Sequence, residues 1–334
     1  HHARQGGGVC GIEMALMDLT GKAYGVPCYQ LTGGKFRDRI RCYSDTPTLH
    51  DPVEMGQKLK ERMDSGFTFL KMDVGIGHLR GISGTISVPS GHLDTHNLMH
   101  PFTGIRITDK GLQMLSEYVG AVREIIGYEV PLALDHFGHI GVEDCIRLAR
   151  ELDQYNLAWL EDMIPWQFTD QYVRLSNACT TPICTGEDIY CKEEFVKLFE
   201  AKAIAISHPD IATSGGILET KKIGDLAQEH GIAMAMHMAG TPVCAMASVH
   251  CAAATENFMV LENHSVDTPW WDQLVTGLPD PIIQDGYITV PNSPGLGISL
   301  NEEAIKAHLH PNETGYFLPT TEWDQERSHD RLWS

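Results

Sequence analysis

The sequence predicts a parallel α/β barrel of the (β/α)₈ kind, and three observations carry that prediction. Short apolar segments alternate with amphipathic stretches along most of the chain. Three of the apolar segments end on carboxylates at a fixed interval: Asp135 closes VPLALD, Glu161 closes LAWLE and Glu187 closes TPICTGE, each 26 residues after the last. Asp210, His237 and Glu262 then close three more segments at intervals of 23, 27 and 25. A strand-then-helix period in the twenties marks a repeating parallel unit. Ionisable groups at the same end of successive strands converge on one face, which is where such a barrel builds its active site.

The elements follow in order. Residues 9–25, VCGIEMALMDLTGKAYG, place Ile12, Leu16, Leu19 and Ala23 on one helical face, and Gly25-Val26-Pro27 stops the helix. A glycine turn in QLTGGKFRDRIRCYSD leads to a strand around Ile40 to Tyr43, then a helix near 52–65 and the strand FTFLKMD. From Val74 to Thr108 the rhythm breaks into a glycine-rich loop holding His78, His92, His96 and His100. Unstructured loops beyond about 15 residues are uncommon in compact domains and are often functional, so an active-site lid is expected here. Its histidines lack a helical pairing with a nearby acid, so the loop is not read as a metal site. Regular units resume with a helix over 108–126, strand VPLALD, helix VEDCIRLARELD and strand LAWLE. Next come a helix around 168–178, strand TPICTGE, helix KEEFVKLFEA and strand AIAISHPD. Helix GILETKKIGDLAQEHG, strand IAMAMH, an alanine-rich helix and strand FMVLE complete eight strands. The strands are short and mostly apolar, as buried parallel strands are. The tail from about 266, rich in Pro and Gly, reads as a cover rather than another repeat.

Bulk properties narrow the function. With 334 residues, 43% apolar and 21% charged, the chain reads as a soluble globular protein able to bury a large core. A net charge of −19 disfavours nucleic acid, which needs a basic face. No stretch approaches the roughly 18 apolar residues of a membrane span. The opening HHARQGGGVCG lacks the apolar core of a secretory leader. Nine scattered cysteines, odd in number and without a CxxC pair, fit free thiols in a reducing compartment, hence a cytoplasmic location. Such an acidic chain handling an anion would be helped by a divalent cation that reverses the local sign.

The chemistry sits at the strand ends. Asp135, Glu161 and Glu187 offer hard oxygen ligands from three adjacent strands, and with no Cys or His among them Mg²⁺ is favoured over Zn²⁺. A single such acid would more simply cap the following helix. Three at fixed spacing favour the metal. Asp210 and His237 end neighbouring strands, so the carboxylate can orient the imidazole as a general base. Glu262 can donate to a substrate oxygen if its surroundings keep it neutral. Lys71 brings positive charge to a substrate carboxylate, and Asp73, two residues on, points to the same side. These parts suit proton abstraction beside a carboxylate, with a metal stabilising the enediolate. Trp166 either lines the pocket or packs in the core.

The segments GIEMALMDLTGKAYGVPCYQLTGG, LALD, WLED, CTGED, SHPDIATSGGI, the His of MAMH, VLE and DGYITVPNSPGLGISLN together resemble the mandelate racemase-like branch of the enolase superfamily. Within it the pattern is most similar to sugar-acid dehydratases of the galactonate type. The resemblance implies a (β/α)₇β barrel over 40–265, with the long loop at 74–108. Residues 1–39 would form the C-terminal part of an α+β capping domain, and 266–334 a tail packing on cap and barrel. It implies Mg²⁺ on Asp135, Glu161 and Glu187, a His237–Asp210 base and Glu262 hydrogen-bonded to the enolate. The expected partners are a small acid sugar, no nucleic acid and no membrane, in a homo-oligomer.

Three departures from the family pattern matter. The family carries more capping domain before the GIEMALMD helix, whereas this sequence opens almost at that helix. Racemases place a second base in a Lys-x-Lys pattern at strand two, and here the residues are Lys71-Met72-Asp73. Galactonate-type dehydratases place a histidine two residues after the first metal ligand as general acid. That position holds Phe137, with His136 pointing the other way unless a bulge turns it inward. Without it, His237 would both take the proton and return it to the leaving group. The leading reading is a Mg²⁺-dependent acid-sugar dehydratase giving a 2-keto-3-deoxy acid. An epimerase, racemase or cycloisomerase sharing the enediolate step is the runner-up, and a barrel that binds acids without turnover is the third.

Overall fold

A computed structural model describes residues 7–87, 105–135 and 140–310. His136, Phe137, His92, His96, His100 and the tail after 310 lie outside the described residues. The chain begins with α1 (Gly7–Tyr24) and α2 (Cys28–Leu31), then β1 (Arg39–Ser44), α3 (Pro52–Asp64) and β2 (Leu70–Asp73). It continues through α4 (Asp109–Ile126), β3 (Leu132–Asp135), α5 (Val142–Leu152), β4 (Leu160–Glu161), α6 (Thr169–Ser176) and β5 (Ile183–Thr185). Then follow α7 (Lys192–Glu200), β6 (Ile206–Ser207), α8 (Ile211–Ser214), α9 (Gly216–Glu229), β7 (Ala233–Met236), α10 (Pro242–Ala254) and β8 (Phe258–Asn263). A hairpin of β9 (Ile283–Gln284) and β10 (Tyr287–Thr289) comes from the tail.

The hydrogen-bonded order is β9-β10-β1-β8-β7-β6-β5-β4-β3-β2, and β1 to β8 pair in parallel along it. The two ends of that parallel run meet. Arg41 on β1 donates to Thr68 Oγ1 just before β2 at 2.8 Å, and the Tyr43 and Phe69 rings lie 5.6 Å apart. The curved sheet thus closes as a barrel of seven β/α units and a final strand, with helices outside.

Local sequence explains the helix starts. Asp51 accepts from the backbone N–H groups of Val53 and Glu54 at the head of α3, where Pro52 needs no partner. Thr108 caps α4 by accepting from Gly111. The larger apolar core lies between strands and helices, with Leu70, Leu132, Leu134, Leu160 and Ile183 facing outward onto it. No helix among the described residues is long and apolar enough to cross a membrane.

Three parts differ from the sequence expectation. On α1 the predicted stripe is exposed: Ile12, Leu16 and Leu19 are 65%, 56% and 62% accessible, while Cys10 and Met14 are buried. Polar anchors set the helix rotation. The Glu13 carboxylate accepts from the backbone of Ile217 and Leu218 at the head of α9, and Asp18 accepts from Leu296. The loop after β2 is not structureless throughout. Ile76–Leu79 forms a 3₁₀ turn, and Ile86–Ser87 pairs antiparallel with Arg106–Ile107. Buried Ile76, Leu79, Ile105 and Ile107 tie these pieces to the outer core. Finally, the tail does more than cover, because β10 adds to the outer edge of β1 in antiparallel register.

Candidate active site

Strand pleating builds the site in two layers. Side chains alternate across a strand, so residues two apart face the same side. Tyr43, Phe69, Ala133, Trp159, Cys184, Ile206, Ala235 and Val260 fill the barrel interior as one cluster. Two positions further along the same strands stand Lys71, Asp135, Glu161, His208, His237 and Glu262. The ionisable layer therefore rests on an apolar floor at the C-terminal ends of the strands. Glu187 falls three residues after Cys184, off the alternation. Gly186 between them has φ 147°, a conformation that favours glycine, and an added Cβ would meet Phe195 at 2.9 Å.

Oxygens of Asp135, Glu161 and Glu187 lie within 4.8 Å of one another. Glu161 is fully buried, and its Oε2 accepts from Trp159 Nε1 at 2.8 Å. The Lys71 ammonium, 2% exposed, contacts Asp135 Oδ2 at 2.9 Å, Glu161 Oε1 at 3.3 Å and Glu262 Oε1 at 2.8 Å. Burial works against charge on Glu161, but His208 and Lys71 outweigh it and bring its pKa down to about 2. Glu187 is raised, by burial first and by repulsion from Glu161 and Asp135, with His237 pulling the other way.

His237 Nδ1 lies 2.6 Å from Asp210 Oδ2, and its Nε2 faces Glu187 Oε2 at 3.3 Å and Glu262 Oε2 at 3.8 Å. The other Asp210 oxygen accepts from Ala212 N at 2.6 Å, so the carboxylate is fixed as the cap of α8 while it orients the imidazole. Burial would lower the His237 pKa; the surrounding Glu262, Asp210 and Glu187 raise it to about 10.

The structure thus brings together Lys71, Asp135, Glu161, Glu187, Asp210, His237 and Glu262. Asp73 sits beside them, in register with Asp135, and its carboxylate accepts from Thr48 Oγ1 at 2.8 Å. One expectation changes: Glu262 is not kept neutral. Although burial opposes charge, Lys71, His237 and His264 hold its carboxyl well below the usual range, so it is an acceptor rather than a donor. Trp166 is half-buried against the outer core, which is the packing alternative. His136 lies outside the described residues.

Sequence reasoning missed four residues of the site. His208, fully buried, places Nδ1 2.8 Å from Glu161 Oε1 and Nε2 3.1 Å from the Tyr43 hydroxyl. The 2.8 Å contact lacks the alignment of a hydrogen bond, so it is a close approach of ring nitrogen and carboxylate oxygen. The signal for His208 was available: it stands two residues beyond Ile206, the inward position of β6, whereas Asp210 lies at the next turn. Trp159 and Tyr43 belong to the apolar floor but turn a polar atom upward. His264, two residues past Glu262, reaches Glu262 Oε1 at 3.2 Å and Asp45 Oδ2 at 3.4 Å.

Comparison with known proteins places these features in a group. Residues 54–304 match the family described as Enolase C-terminal domain-like. A D-xylonate dehydratase of Haloferax volcanii is 36% identical over 312 residues, covering 92% of this chain and 70% of the relative. A D-galactonate dehydratase of Verminephrobacter eiseniae is 28% identical, covering 89% of this chain and 72% of the relative. A mandelate racemase/muconate lactonizing enzyme-like protein from Rubrobacter xylanophilus superposes with a TM-score of 0.81 at 33% identity. That superposition covers 91% of this chain and 77% of the other.

Proposed function

The chain belongs to the Enolase C-terminal domain-like family of mandelate racemase-like enzymes, and on that premise we propose that it is a metal-dependent dehydratase of an acid sugar. Its product would be the 2-keto-3-deoxy acid. The observation that carries the reading is the His237–Asp210 dyad aimed at the Asp135–Glu161–Glu187 carboxylates, with Nε2 only 3.3 Å from Glu187. Named relatives act as D-xylonate and D-galactonate dehydratases, which supports a polyhydroxy acid as substrate.

The donor set fits Mg²⁺. It offers three hard oxygens within 4.8 Å of one another, and the crowding that raises Glu187 is the kind a cation offsets. A Mg²⁺ ion held there would polarise the substrate carboxylate and stabilise the negative charge that develops once the α-proton leaves. The chain's own residues do the rest. His237 Nε2 takes the proton on the carbon beside the carboxylate, and Asp210 fixes Nδ1 so that Nε2 faces the substrate. Lys71 donates to a substrate carboxylate oxygen, and Glu262 holds that ammonium at 2.8 Å. The apolar floor keeps water from beneath the reacting carbon.

The test is turnover of D-xylonate, D-galactonate and D-gluconate with Mg²⁺, read as semicarbazide-positive keto acid. Formation of the keto acid supports dehydration. Deuteration at C2 in D₂O with the sugar acid otherwise retained would instead support an epimerase or cycloisomerase, with Asp73 as the candidate second base. Binding of these acids with neither outcome would favour the non-catalytic reading.

A further inference from the structure

Expelling a hydroxyl needs a proton, because hydroxide is a poor leaving group, and the dehydratase reading already assigns His237 to the proton on C2. Among the described residues, His208 is fully buried and Lys71 is clasped by three carboxylates. His264 stands differently. It follows β8 by one residue, and its side chain is 34% exposed where that of His237 is 7% exposed. It therefore reaches from solvent into the mouth of the site. Its ring centroid is 6.0 Å from that of His237, with the planes at 62°. One atom each of His237, Glu262 and His264 lies within 4.8 Å of the others.

The surroundings also favour a proton on this imidazole. Glu262 Oε1 approaches Nε2 at 3.2 Å and Asp45 Oδ2 approaches Nδ1 at 3.4 Å. Burial and the neighbouring His237 oppose the charge, yet the two carboxylates win and raise the His264 pKa. An imidazolium open to solvent at one side can be reprotonated after each turnover. Its distance from His237 suits two groups that act on adjacent carbons of one small acid.

We propose that His264 is the general acid of the dehydration, giving its proton to the hydroxyl that leaves C3. The proposal rests on the dehydratase reading. His237 takes the C2 proton, and the electron pair of that bond enters the enediolate. That pair then forms the C2–C3 double bond as the C3–O bond breaks, its electrons leaving on oxygen. The His264 proton completes water. The resulting enol takes the proton from His237 at C3 and gives up its hydroxyl proton through solvent, which restores His264. No oxidant or reductant is required.

The experiment compares wild type with His264→Gln, a variant that keeps a hydrogen-bond donor toward Glu262. Both are incubated with Mg²⁺ and D-xylonate in D₂O, following C2–H exchange by proton NMR and keto acid with semicarbazide. A second substrate, 3-deoxy-3-fluoro-D-xylonate, releases fluoride, which leaves without a proton. His264→Gln is expected to lose about 10²–10⁴-fold in keto-acid formation, the usual contribution of a general acid. It should keep C2 exchange and release fluoride at close to the wild-type rate. Two results overturn the proposal: dehydration within about threefold of wild type, or fluoride release falling in step with dehydration, as a merely structural role requires. If the wild type forms no keto acid from D-xylonate, D-galactonate or D-gluconate, the dehydratase reading itself fails and this inference goes with it.

Discussion

Replacing Lys71 by Met removes the ammonium shared by Asp135, Glu161 and Glu262 while keeping a side chain of similar length. The site is deeply enclosed: Lys71 is 2% exposed, and Glu161 and Glu262 are fully buried. Breaking a buried ion pair by removing one partner costs about 3–5 kcal/mol, because the other charge is left uncompensated. Unfolding entropy near 2.1 cal/mol/K per residue over 334 residues comes to about 0.7 kcal/mol/K. Lys71→Met should therefore lower the unfolding midpoint by about 4–7 °C in EDTA. Two of the three stranded carboxylates, Asp135 and Glu161, belong to the set that fits Mg²⁺. Saturating Mg²⁺ should therefore recover at least half of the loss, and Mg²⁺ affinity should rise because no ammonium competes for those oxygens. Circular dichroism melts in EDTA and in Mg²⁺, with calorimetric titration of the metal, measure all three quantities. An unchanged midpoint in EDTA, or the same drop in both buffers, would refute the argument that Lys71 and a cation answer to one group of charges.

Two further perturbations test separate parts of the account. Trp159→Phe keeps an aromatic ring in the barrel floor but removes the N–H that holds Glu161 Oε2 at 2.8 Å. Mg²⁺ affinity by titration calorimetry should fall about 10–100-fold, the usual cost of losing a partner of a metal ligand, and an unchanged affinity would show that the indole does not position Glu161. Gly21→Ala should destabilise the protein by about 1–3 kcal/mol in urea unfolding, because the new Cβ meets Gly295 backbone at 2.8 Å and Val26 O at 2.7 Å, atoms that cannot swing aside. A neutral result there would mean that α1 and the tail segment can separate at little cost.

Much of this site was legible in the sequence because period-two pleating is a local property. Asp135, Glu161, His237 and Glu262 each end an apolar run, and the structure places each of them two residues beyond a floor residue. All eight barrel strands overlap the segments read from periodicity, though β1 and β8 run past them by a residue at one or both ends and β4 and β6 shrink to two hydrogen-bonded residues each. What the sequence hid depends on contacts between distant segments. Lys71 meets Asp135 and Glu161 across separations of 64 and 90 residues, and its contact with Glu262, together with His237 and His264, holds that carboxyl well below the usual range although burial opposes its charge. His208 is masked in the sequence by Asp210, which stands in the same SHPD motif and also ends that strand. The α1 stripe differs for a related reason. Helical periodicity finds an apolar face, but here carboxylates of Glu13 and Asp18, bound to backbone groups more than 200 residues away, decide which face turns inward.

The central claim is that His237, oriented by Asp210 and facing the Asp135–Glu161–Glu187 carboxylates, removes the proton beside the carboxylate of an acid sugar. Its most direct measurement is C2–H exchange and keto-acid formation from D-xylonate, D-galactonate and D-gluconate in D₂O with Mg²⁺, for wild type and His237→Asn side by side. The account predicts that wild type converts at least one of them to a 2-keto-3-deoxy acid. His237→Asn should lose both exchange and product while still binding Mg²⁺. Exchange or dehydration that persists in His237→Asn at the wild-type rate would contradict it.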